Sequence, residues 1–81
     1  MVTIQRAKEV WARRGTGRST HYDDINKGLF VPPIAISARS RGYPSYEVDA
    51  LIAATIAGQS EAEIRDLVKR LVAARKNGRP T

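Results

Sequence analysis

The alternation of apolar and polar positions divides the chain into four helical stretches, interrupted once by an extended one. Between Arg6 and Arg14, Ala7, Val10 and Trp11 recur at i, i+3 and i+4. That spacing gives one apolar stripe on a helix of about two turns and assigns Trp11 to the core. Gly15 and Gly17 end this helix, since either takes the positive φ of a helix C-terminal cap. A second helix is expected from about Ser19 to Lys27, capped by Ser19, closed by Gly28 and turned inward on Tyr22 and Ile25. Two short helices joined by a glycine-bearing turn form a helix-turn-helix candidate.

The period then changes. Pro32-Pro33 forbids a further helix and forces an extended exit. Ile34, Ala35 and Ile36 read as a short strand with the two isoleucines on one face. Ser37 to Gly42 is turn-rich and cationic, and Gly42, Tyr43 and Pro44 form the return strand, which Pro44 stops. A hairpin directly behind the second helix is the arrangement called a wing. Helical spacing resumes at Ser45 and runs to about Ala57, with Val48, Leu51, Ile52 and Ile56 inward and Gly58 at the end. A last helix opens on a capping box, Ser60 with Glu63, and carries Ile64, Leu67, Val68, Leu71 and Val72 at i, i+3, i+4, i+7 and i+8. Arg75 and Lys76 complement the dipole at its C-terminus.

The expected fold class is therefore mostly α with a small β-hairpin. A winged helix-turn-helix is expected over residues 1–58 and a C-terminal helical extension over 59–78, either packed on it or used for self-association. Residues 79–81 are expected to form a disordered tail. The aliphatic stripe of the last helix is wider than a thin core needs, so the 60–76 helix is a candidate homo-oligomer surface. Removing residues 60–81 is then expected to leave a folded domain that binds less cooperatively.

Composition narrows the function classes. A chain of 81 residues is one small domain, burying only about 60–65% of its unfolded surface. With no cysteine, disulfides and Cys-based metal sites are excluded, and a single histidine, His21, makes any metal site or cofactor unexpected. No apolar run is long enough for a signal peptide or membrane span, so a cytoplasmic, nucleoid-associated protein without a membrane partner is the expectation. No Ser-His-acid set, P-loop or Gly-x-Gly-x-x-Gly appears. Glu47 and Asp49 lie on different faces of a helix, where they satisfy its N-terminus rather than form an acid/base pair. Neither an enzyme nor a small-molecule substrate is expected.

The net charge is +6, and residues 31–44 carry two arginines and no acid. Basic small domains of this kind meet phosphate, because each neutralised phosphate releases condensed counterions. Arg18, Ser19 and Thr20 stand at a helix start, where backbone N–H groups favour a phosphate or an acceptor edge; Ser19 serves equally as a simple cap. Arg39 and Arg41, one residue apart near a turn, project to one side and suit a phosphate or a narrow minor groove. Lys27 is a phosphate candidate, and Arg13 and Arg14 are weaker ones. Tyr22 packs inward, with or without its hydroxyl reaching a phosphate. Asp23 and Asp24 either face solvent or accept from cytosine N4.

The runs RSTHY (18–22), GLFVPPIAIS (28–37) and GYPSYEVDALIA (42–53) resemble the AlpA family of small phage and prophage DNA-binding regulators. Arg18, Ser19, Thr20 and Tyr22 match its recognition-helix start, and Gly28, Phe30 and Pro33 its bend. Arg39 and Gly42 match its wing, and Glu47 and Val48 the opening of its next helix. The tail IAGQSEAEIRDLVKRLVAAR is similar to the extension of longer members, so the resemblance covers about residues 4–76. His21 stands where an aliphatic residue is more usual, Asp24 where leucine is common, and Tyr43 in place of the wing tryptophan.

The resemblance implies a winged helix-turn-helix related to excisionase and MerR-type domains. Its second helix would enter the major groove of double-stranded DNA, with the wing on the backbone or minor groove. It implies a transcriptional regulator or an excisionase-like directionality factor. Two alternatives stand beside it: a small-terminase-like DNA-recognition subunit of phage packaging machinery, and a protein-interaction module working through the last two helices.

Overall fold

The computed structural model describes residues 3–77. Its elements run β1 (Ile4–Gln5), α1 (Ala7–Arg13), α2 (Arg18–Asn26), β2 (Ile34–Ser37), β3 (Ser40–Pro44), α3 (Ser45–Ile56) and α4 (Glu61–Ala74). A 3-10 turn, Arg75–Asn77, follows α4. Among the described residues the domain is mostly helical, four helices against one three-stranded antiparallel sheet of order β1-β3-β2. Among the described residues no helix is long and apolar enough to cross a membrane. The tail expected over 79–81, and Gly78 before it, lie outside the described residues.

Local chemistry explains where the helices stop. Arg14 caps α1, and Gly15 follows at φ +72. The Thr16 amide donates to the Trp11 carbonyl at 2.9 Å and the Gly15 amide to that of Ala12 at 3.1 Å. This pair of bonds is a Schellman closure, which needs a residue free to adopt positive φ. The same closure ends α2 at Gly28, φ +77. The start of α4 is the expected capping box: the Glu63 amide donates to Ser60 Oγ at 3.2 Å, and the Ser60 amide to Glu63 Oε1 at 3.1 Å.

The hairpin gains a third strand that periodicity does not announce. Ile4 pairs with Pro44 and Gln5 with Tyr43, while Ile34 pairs with Gly42 and Ala35 with Arg41. Gly42 is where all three strands crowd. A Cβ there would stand 2.6 Å from Ile4 Cγ2 and 2.9 Å from both the Gln5 backbone oxygen and Ile36 Cδ1. The isoleucines can turn away, but the carbonyl cannot move without parting β1 from β3. Gly42→Ala is expected to destabilise the fold by about 1–3 kcal/mol, the usual cost of overpacking. A urea midpoint equal to wild type would show that β1 is not held at that register.

The core gathers Val10, Phe30, Val31, Tyr43, Val48, Leu51, Val68 and Leu71. Thus α4 is part of the core rather than an appendage beside it. Val68, Leu71 and Ala74 are buried, while Glu61, Ala62, Glu63, Arg65, Asp66, Lys69 and Arg70 face outward. Its aliphatic stripe is occupied by this chain's own interior.

Two apolar assignments differ from expectation. Trp11 is only half-buried and lies edge-on to His21 and Tyr22. Ile56 is 81% exposed, and the buried place is taken by Ala54. At 100° per residue, Ile56 points about 200° away from Ala54, so the face that buries Val48, Leu51 and Ala54 cannot also bury it.

The largest surprise inside the fold is Glu47, which is fully buried. Arg75 grips its carboxylate, Nε at 2.9 Å and Nη2 at 2.5 Å, and Nη2 also donates to the Pro32 carbonyl at 2.8 Å. Neither residue simply serves the helix terminus it stands beside. Together they clamp the start of α3, the exit from Pro32 and the end of α4.

Candidate nucleic-acid interface

The residues singled out for nucleic acid occupy two protrusions, the start of α2 and the β2–β3 hairpin. Helix α2 begins one residue earlier than the sequence suggests. Gly17 is its N-cap, with extended backbone and no side-chain bond, and the His21 amide donates to the Gly17 carbonyl at 3.0 Å. Ser19 is therefore not the cap; it lies inside the first turn. Arg18, Ser19 and Thr20 are all exposed there, with side chains available to solvent beside the helix N-terminus.

The rotation of α2 corrects a second expectation. Tyr22 does not pack inward: it is 42% exposed, and the fully buried residue is His21. Half-buried Asp24 and Ile25 follow His21 on the same face. Burial of a polar ring is tolerable because both nitrogens have partners. Nε2 lies 2.9 Å from Tyr43 Oη, and Nδ1 lies 3.4 Å from Arg14 Nη1. Around it Trp11, Tyr22, Phe30 and Tyr43 pack with ring centroids 5.1–5.7 Å from the imidazole. Arg14 completes the cluster, stacked 4.3 Å above Phe30 and bonded to Asp24 at 2.6 Å. Asp24 is thus a structural partner rather than a free groove-reading acid, and Arg14 is a structural cation.

Desolvation shifts two members of the cluster, His21 and Tyr43. Burial, helped by the Arg14 charge, lowers the His21 pKa, with Asp24 opposing. Burial is also the main cause that pushes the Tyr43 phenol up to about 12.

The remaining charges sort clearly. Asp23 holds Lys27 at 2.8 Å across one helical turn, and this hydrogen bond raises the lysine pKa. Arg13 pairs with Asp49 at 2.6 Å, Arg65 with Glu61 at 3.7 Å and Arg70 with Asp66 at 3.1 Å. Glu63 serves the α4 cap, and Glu9 accepts from the Arg6 amide at 3.4 Å. All eight acidic residues therefore have an internal partner, counting Asp24 with Arg14 and Glu47 with Arg75.

Among the described residues, Arg18, Arg39 and Arg41 form no ion pair. Arg18 lies 6.0 Å above the Tyr22 ring, an arrangement that leaves its charge uncompensated. Arg39 is exposed in the tight turn, its amide donating to Ser37 Oγ at 3.4 Å. Arg41 is exposed on β3. Strand alternation sets Arg41 on the same face as Tyr43, the face that reaches α2.

Four further cations, Arg6, Lys8, Lys69 and Lys76, are also exposed and form no ion pair among the described residues, and sequence reasoning did not single out Arg6 or Lys8. Arg6 follows directly on Gln5, whose pairing with Tyr43 carries it level with Gly42 of the hairpin. The signal that could have found them is the strand character of Ile4–Gln5, too short to register as a period. Of the expected phosphate contacts, Lys27 and the weaker candidates Arg13 and Arg14 have their charges already engaged. No family model matches the chain, and no curated protein or solved structure matches it.

Proposed function

We propose that this protein binds double-stranded DNA as a winged helix-turn-helix, with α2 in the major groove and the β2–β3 hairpin as the wing. The observation that carries this reading is the distribution of charge. Every acid is engaged internally, while Arg18, Arg39 and Arg41 remain uncompensated at a helix start and a hairpin. Unpaired arginines on neighbouring protrusions neutralise phosphates, and phosphate contacts fix register while a groove-inserted helix reads bases. Exposed Ser19, Thr20 and Tyr22 supply the polar and apolar groups for that reading. Lys27 contributes only by giving up Asp23.

The resemblance to AlpA-type regulators adds a biological setting: a prophage transcriptional regulator or an excisionase-like directionality factor acting at the nucleoid. Burial of His21, at the position where the resemblance sets an aliphatic residue, supports that comparison. An integrase gene beside this one would favour it, whereas a large-terminase gene would favour a role in DNA packaging. One domain of this size covers a short site, so two or more copies act together on DNA.

Arg39→Ala with Arg41→Ala is expected to weaken duplex binding and flatten the salt dependence by up to about two slope units, roughly one for each phosphate no longer neutralised. Fluorescence anisotropy at several salt concentrations measures both. Unchanged affinity and slope would remove the hairpin from the interface.

A second reading, a protein-contact module, draws on one observation. Ile56 stands 81% exposed beside a groove of about 320 Å³ lined by Arg13, Arg14, Thr16, Ile52 and Thr55. A partner there would leave the hairpin arginines without a part, and their double substitution would not alter its binding.

A further inference from the structure

His21 sits where the two proposed DNA-contacting elements meet. Arginine has donors only, so Arg14 Nη1 donates to His21 Nδ1, and that nitrogen carries no proton. The neutral ring therefore holds its proton on Nε2, which donates to Tyr43 Oη at 2.9 Å. Tyr43 belongs to β3, whereas His21 belongs to α2. A single buried hydrogen bond thus joins the helix to the hairpin strand, in a shell of aromatic rings closed by Arg14.

The groups facing the imidazole define what a second proton would do. Arg14 approaches from the turn after α1, Tyr43 from β3, and Tyr22 and Asp24 lie on α2 itself. Asp24 is already bonded to Arg14. Protonated Nδ1 would point an N–H at a guanidinium that is itself all N–H, inside a space from which water is excluded. The cation cannot stay in that place.

We propose that His21 is the positioning residue that locks α2 to the β2–β3 hairpin, and that one proton taken up at Nδ1 releases the two elements from each other. The functional half of this inference rests on the DNA-binding reading; the lock itself is a property of the fold. The sign follows from linkage. The locked imidazole has its pKa lowered from 6.5, so the released form takes up more protons below that value. The lock is fully present above pH 6.5 and is lost progressively as the pH falls towards the lowered pKa. Release at pH 5.5 therefore weakens duplex binding by up to about tenfold relative to pH 7.5.

This direction is opposite to ordinary electrostatics, in which acidification adds positive charge and strengthens binding to a polyanion. His21 is the chain's single histidine and there is no cysteine, so no other side chain of ordinary pKa titrates in this window.

The test follows wild type and His21→Gln from pH 7.5 to 5.5 by duplex binding and by amide NMR. Glutamine reaches Tyr43 without titrating, and Tyr43→Phe serves as a second variant that cuts the bond from the hairpin side. The expected result has wild-type residues 34–44 and α2 shifting together with the His21 midpoint while the α3–α4 core resonances stay. Duplex binding weakens over the same range, and neither change occurs in His21→Gln. In Tyr43→Phe, helix and hairpin no longer shift together. If those resonances move as described but no duplex is bound at any pH, the lock stands and the DNA-binding reading fails. The lock is overturned if the hairpin ignores the His21 titration, if the whole chain unfolds at once, or if wild type binds as tightly or more tightly on acidification.

Discussion

A chain lacking residues 60–81 is expected not to fold. The deletion takes Val68, Leu71 and Ala74 out of the core and uncovers the half-buried Ile64, Leu67 and Val72 that pack against it. Full burial of one large aliphatic side chain is worth about 1.5–3 kcal/mol, so the loss of several already approaches the 5–15 kcal/mol typical of a whole domain. The deletion also removes Arg75 from the buried Glu47 carboxylate and Arg65 from the Lys27 carbonyl, a bond of 3.0 Å. Far-UV circular dichroism with urea is the check. A featureless profile without a cooperative transition is expected. A cooperative transition would make α4 an extension of an independently stable unit, as the sequence suggests when α4 is read alone.

Arg75→Ala alone is expected to lower stability by about 3–5 kcal/mol, the cost of leaving a buried charge uncompensated. The loss exceeds that of any exposed pair in the molecule, for which about 0–1 kcal/mol is usual. Arg75 bonds both Glu47 oxygens and the Pro32 carbonyl, so its removal leaves all of these acceptors without their donor at once. At a urea m-value of about 1 kcal/mol per molar, the midpoint falls by roughly 3 M or the protein is unfolded outright. Glu47→Leu combined with Arg75→Met separates the causes. If the penalty comes from the orphaned carboxylate, the double variant recovers most of the stability, because a well-packed apolar pair can replace a buried ion pair. A double variant as unstable as Arg75→Ala would assign the loss to the Pro32 bond and to packing instead.

What is legible in the chain is local. The helix ends at Gly15 and Gly28, the Ser60–Glu63 box and the α4 stripe all depend on neighbours within a few residues, and the structure has all of them. Arg18, Arg39 and Arg41 are legible for the same reason: a helix start, a tight turn and the strand leaving it expose what they carry. The differences are of two kinds. Some turn on partners far along the chain: β1 needs a strand about forty residues later, and Glu47 and Arg75 stand 28 residues apart. His21 reads as polar until Arg14 and Tyr43, 7 and 22 residues away, satisfy its two nitrogens and allow burial. That burial sets the rotation of α2 and turns Tyr22 outward. Lys27 is the other kind, since the Asp23 spacing of i, i+4 is visible in the sequence and already marks it as paired.

The structure also changes what sets the geometry between the two protrusions. The hairpin and the helix are joined through His21, Tyr43 and Arg14, which follow neither from net charge nor from apolar period. On the proposed DNA-binding reading, site specificity would depend on the distance between the two protrusions, which the small buried cluster holds.

The most direct test of DNA binding is a salt titration of the wild-type protein on a labelled duplex, compared with an uncharged polymer control. With Arg18, Arg39 and Arg41 each neutralising one phosphate, log K is expected to fall linearly with log salt at a slope of about −2.7 or steeper, near −0.9 per phosphate neutralised. No binding at low salt, or binding whose slope is near zero, would contradict the DNA-binding reading.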